Sequence, residues 1–127
     1  MATTAVAATA LTRDTAASYV PGTTGTAIVH ANTHVITPAG PCDRLLVVVT
    51  NTTAAEKVVT FVVGDNPPAN AEGLGTTTMT LAAGDSTPQM GLIVLEGARF
   101  LQNDGTIQVT VATSMTGFIS AYQLPKG

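Results

Sequence analysis

Arg44-Leu45-Leu46-Val47-Val48-Val49-Thr50, followed after a short polar link by Lys57-Val58-Val59-Thr60-Phe61-Val62-Val63, decides the fold. Both runs are rich in β-branched residues and bounded by turn formers, and both are too short for a buried helix. The first is apolar at consecutive positions rather than at alternate ones. Such a run reads as a strand buried on both faces of its own fold, or buried once by a core and once by a neighbouring subunit, as in a homo-oligomer. The link Asn51-Thr52-Thr53-Ala54-Ala55 suggests that the two strands pair as a hairpin with a multi-residue loop. Gly64-Asp65-Asn66-Pro67-Pro68 ends the second strand, because consecutive prolines cannot donate to a ladder.

Strand signals continue on the C-terminal side. Thr76–Leu81 and Gln89–Leu95 are separated by a turn at Ala83-Gly84-Asp85, and Glu96–Leu101 reads as a bend or coil. Asn103-Asp104-Gly105 supplies the positive φ angles of a tight turn. Thr106–Ala112 then alternates cleanly, with Ile107, Val109 and Val111 on one face, and Gly117–Leu124 is the last strand. On the N-terminal side, Ala27–His30 and His34–Thr37 flank a turn at Asn32, and Pro38–Pro41 breaks the chain. Residues 1–25 show no periodicity. Ala favours a helix over Ala2–Leu11, but the interspersed Thr weakens it, so the segment reads as an extended N-terminal arm. The expectation is an all-β chain, with the arm over 1–25 and one β-sandwich or barrel-like domain over 26–127. That domain would hold seven to eight short antiparallel strands.

Composition narrows the functional classes. Hydrophobic residues make up 45% and charged residues 10% of the 127 positions, the reverse of a disordered chain. About a third of the chain is Thr or Ala, and Thr keeps strand faces wettable without charge. The net charge is −3, and Arg13, Arg44, Lys57, Arg99 and Lys126 are scattered. They form no basic stripe, which argues against nucleic-acid binding. No apolar run is long enough for a transmembrane helix, so no membrane partner is expected. The N-terminus lacks a basic segment and a Leu-rich core, so synthesis in a cytoplasm without secretory processing is expected. Without secretion the acceptor-like Asn51-Thr52-Thr53 is idle.

The residues that could carry chemistry each have a plain structural reading. His30 and His34 could approach each other across a hairpin, but a metal needs a third ligand, and Asp43 lies beyond a Pro-rich break; isolated surface histidines are expected. Cys42 has no base in motif with it and reads as a bland thiol; being single, it excludes a disulfide framework and a Cys-cluster zinc site. Asp65, Asp85 and Asp104 sit in turns beside Gly64, Gly84 and Gly105, where Asp commonly binds its own backbone. Gly73-Leu74-Gly75 is too short for a phosphate loop. No catalytic motif is present, so neither an enzyme nor a cofactor or metal is expected.

The C-terminal half resembles small decoration (cement) proteins on the capsids of tailed bacteriophages, especially those of actinobacterial hosts. The likeness lies in Leu95-Glu96-Gly97-Ala98-Arg99-Phe100, Asp104-Gly105-Thr106-Ile107-Gln108-Val109 and Gly117-Phe118-Ile119-Ser120-Ala121-Tyr122-Gln123-Leu124-Pro125. Val47–Thr52, Val58–Phe61 and Asn66-Pro67-Pro68-Ala69 fit the same pattern. The resemblance implies a β-module on the outer capsid surface of the virion, often a homotrimer, with the major capsid protein as partner and no active site. In that role an arm could add a strand to a shell protein's sheet edge, which makes Thr3, Val6, Leu11, Arg13 and Tyr19 candidate capsid contacts. The other readings are a tail-tube or head-fibre-base protein and a glycan-binding β-sandwich. The last is disfavoured by the absence of Trp and by only two Tyr, Tyr19 and Tyr122.

Overall fold

Alternation along each strand sets which side chains face inward. A computed structural model describes residues 2–40, 44–64, 77–94, 100–102 and 104–125. Within it the strands are β1 (Thr3–Ala10), β2 (Thr26–Ala27), β3 (Thr33–Thr37), β4 (Leu45–Asn51), β5 (Lys57–Phe61), β6 (Thr77–Leu81), β7 (Gln89–Val94), β8 (Ile107–Val111) and β9 (Gly117–Gln123). The chain is all-β, as expected. Ile36, Leu45, Val47, Val49, Val59, Phe61, Ile107, Val109 and Ile119 all turn into one aliphatic core with Met115 and Phe100.

The strands follow the order β6-β5-β8-β3-β1-β9-β4-β7, with β2 paired to β9. The two ends of this order, β6 and β7, face each other across a seam, which gives a nearly closed barrel. One half of the wall is β6-β5-β8-β3 and the other is β9-β4-β7. Pairing is antiparallel within each half.

Two hairpin expectations are corrected. β4 does not pair with β5; it lies between β7 and β9, while β5 lies between β6 and β8. β2 likewise pairs with β9 and not with β3. Among the described strands, only β5 and β6 are neighbours in both chain and sheet. From β2 onward, each of the other links joins a strand of one half to a strand of the other. Buried Asn51 ties one end of these crossings together: its Nδ2 donates to the carbonyls of Ala55 (3.2 Å) and Ala82 (2.8 Å), and its Oδ1 accepts from the Thr53 amide (3.0 Å). Thr53 Oγ1 accepts from the Thr116 amide at 2.8 Å, adding the third crossing.

The arm expected over 1–25 also needs correction. Its first part is extended, but as β1 inside the wall. Thr3–Ala7 runs parallel to Thr33–Thr37 of β3, and Ala8–Ala10 runs parallel to Ala121–Gln123 of β9. β1 is therefore the hydrogen-bonded link between the two halves. Its sequence hid this because the ladder needs main chain, and Val6 is its one fully buried side chain.

Candidate functional site: an apolar outer face

The outward positions of β9, β4 and β7 form matched rows. Leu46 lies between Tyr122 and Val94, Val48 between Ser120 and Leu92, and Thr50 between Phe118 and Met90. This is the second apolar face of β4 that the continuous run Arg44–Thr50 implied. On β4 this face is covered by the chain itself, so that Val48 and Thr50 are buried without a neighbouring subunit.

The cover is a strap, residues 11–20. Leu11 extends the β1 pairing, its amide donating to the Gln123 carbonyl at 2.9 Å. The chain then turns at Thr12–Thr15, with Asp14 in the left-handed region at φ 59°, and returns across the face. Tyr19 anchors it. Its hydroxyl and Thr50 Oγ1 are 2.7 Å apart, and its ring meets the Tyr122 ring edge-on with centroids 6.3 Å apart. Val48 and Thr50 are consequently buried although they point outward.

The strap stops at β4, and β7 stays open. Met90, Leu92 and Val94 are 41%, 59% and 51% exposed. Between strap and β7 lies a cleft of about 290 Å³, lined by Leu11, Tyr19, Leu46, Met90, Leu92 and Tyr122 among others. None of its described lining residues carries a charge. An apolar stripe beside an apolar cleft makes this face the candidate contact surface.

The five candidate contacts separate on this geometry. Leu11 and Tyr19 line the cleft. Arg13 is exposed at the turn of the strap, and Thr3 is exposed at the start of β1. Val6 is 1% exposed, so with β1 in place it belongs to the core and touches nothing outside. Met90, Leu92, Val94 and Tyr122 were not among the candidates. The signal lies in Gln89-Met90-Gly91-Leu92-Ile93-Val94, where Met90, Leu92 and Val94 alternate, but alternation alone does not say which face of the strand is left open.

Among the described residues the ionisable groups build no second site. His30 is exposed, but His34 is fully buried on the inner face of β3, which corrects the surface reading. Its Nε2 accepts the Val29 amide at 3.1 Å, and its Nδ1 has no partner among the described residues. Burial lowers its pKa, opposed in part by the Val109 backbone. Asp104 acts as a turn residue. Its Oδ1 accepts from Thr106 Oγ1 (2.6 Å) and from the Thr106 amide (3.1 Å), and these bonds hold its pKa below the usual value. Among the described residues no three His, Cys, Asp or Glu cluster as metal ligands would. Cys42, Asp43, Asp65 and Gly73–Gly75 lie outside the described residues.

Comparison with protein-family profiles, with curated proteins and with solved structures finds no match for this chain.

Proposed function

We propose that this protein is a non-catalytic structural component of a tailed-phage virion, docking on the outer surface of the capsid and bridging neighbouring copies of the major capsid protein. The observation that carries the reading is the open stripe Met90-Leu92-Val94 with its adjoining cleft. The stripe is rigidly presented on a strand, carries no charge and is shaped to receive apolar side chains, which suits permanent contact more than steering of a charged ligand. The likeness of the C-terminal strands to decoration proteins supports the same role. Copies gather on the shell as a homo-oligomer, taken as a trimer, and repetition over a lattice multiplies a modest single contact.

The test is co-sedimentation of purified protein with bare, expanded capsids. Each large apolar side chain removed from a buried contact costs about 1.5–3 kcal/mol. Met90→Ser with Leu92→Ser should therefore lower shell affinity by at least tenfold. Both residues point away from the core, so the thermal midpoint should hardly move. Unchanged binding by the double variant would remove the basis of the proposal.

A further inference from the structure

We infer that the cleft between β3 and β9 is a strand-accepting site that takes β1 from a second copy of this chain as well as its own. The inference needs only copies held close together, so it stands apart from the shell reading.

The acceptor reads very little of the donor. Thr3–Ala7 pairs with β3 and Ala8–Ala10 with β9 through main chain, and only Val6 is fully buried. With β1 absent, β3 and β9 each present a bare edge, and a bare edge is a template for an incoming strand. A second copy's β1 carries the same backbone register and the same valine. It satisfies both edges as well as the native strand does, which is why exchange of identical elements costs little.

The tether permits the exchange. The turn Thr12–Thr15 is exposed throughout. Two of the bonds within it, the Thr15 amide to the Thr12 carbonyl at 3.3 Å and the Thr15 hydroxyl to the Arg13 carbonyl at 3.4 Å, are long. Asp14 at φ 59° occupies a region that non-glycine residues adopt at a cost. Rotating Asp14 into the extended region straightens this turn and points β1 away from its own barrel, while Tyr19 keeps the strap anchored on Thr50. Closed and exchanged forms then share every contact in the cleft and differ in the turn. The tethered strand has the advantage of effective concentration, so exchange prevails where copies are crowded.

The experiment mixes two variants in a Cys42→Ala background, one with Ala7→Cys and the other with Thr37→Cys. Positions 7 and 37 are Cα partners in the parallel register. A disulfide between them in clear excess over the 7–7 and 37–37 links of random collision therefore reports the β1 of one copy in the cleft of another. Linkage 7–37, identified by peptide mapping, should form in concentrated protein and fall on dilution. Asp14→Pro, whose ring holds φ near −65° and forbids the turn, should raise the linked fraction about tenfold, and Asp14→Gly should lower it. If Asp14→Pro does not fold, the mixture with the native turn decides alone. Only 7–7 or 37–37 links, or none, in concentrated native-turn chains would overturn the inference. No shell is present, so this outcome is independent of capsid binding.

Discussion

At the scale of single residues, His34 couples the core to pH. Its imidazole is enclosed between β3 and the core, with Nε2 accepting the Val29 amide. That bond requires an unprotonated Nε2, and burial penalises the cation, so the folded-state pKa lies below 6.5. Between the folded and the unfolded pKa, the unfolded chain binds more protons than the native one. Stability from this residue is therefore complete above about pH 6.5 and declines as pH falls towards the folded value. The thermal midpoint should drop on acidification below 6.5. His34→Gln should be less stable at neutral pH but should lose that part of the slope; an unchanged slope in the variant would assign the acid sensitivity to other groups. From the sequence alone His34 reads as an isolated surface histidine. What the sequence could not show is the backbone amide of Val29 arriving to satisfy the ring, which is what makes burial tolerable.

Among the elements, the seam between β6 and β7 shows how far strand grammar reaches. Periodicity and turn residues locate nearly every strand over 26–127, because inward and outward positions are written in the alternation itself. Partner choice is not written there. A link such as Thr52–Glu56 can close a hairpin or cross the core, and the decision rests on distant side chains such as Asn51 reaching Ala82. Gly91 is a local sign of such a distant approach. A Cβ at this position would lie 2.2 Å from Met79 Sδ and 2.9 Å from Leu81 Cδ2, so β6 side chains fill the space where β7 has none. This packing closes the barrel where no ladder does. Gly91→Val should overpack the seam and cost about 1–3 kcal/mol in denaturant unfolding. Met79→Ala should recover much of that loss when combined with it, since the thioether is the nearest obstruction. Additive losses in the double variant would mean that the seam does not set the limit.

For the molecule as a whole, the informative segment is the one whose sequence says least. Thr3-Thr4-Ala5-Val6-Ala7-Ala8-Thr9-Ala10 lacks a hydrophobic pattern, and such segments ordinarily stay outside a fold. Here it is central, because parallel pairing ties Thr3–Ala7 to β3 and Ala8–Ala10 to β9, and one buried valine sets its depth. The same arrangement makes the barrel depend on it. The halves β6-β5-β8-β3 and β9-β4-β7 enclose a common core, and β1 joins their edges. A chain lacking residues 2–10 loses Val6, worth about 1.5–3 kcal/mol of burial, and leaves both edges and one side of the core open to water. Against a typical domain stability of about 5–15 kcal/mol, that is a large fraction. We expect the truncated chain to lose its sharp thermal transition and to aggregate through the bare edges. A synthetic peptide of residues 2–11, added in excess, should restore the transition with a midpoint that rises with peptide concentration. A truncated chain that melts like the full-length protein would show β1 to be an appendage. It follows that loss of shell binding on removing the N-terminus would not identify a capsid contact, because the barrel that presents Met90, Leu92 and Val94 would be lost with it; substitutions on β7 separate the two effects.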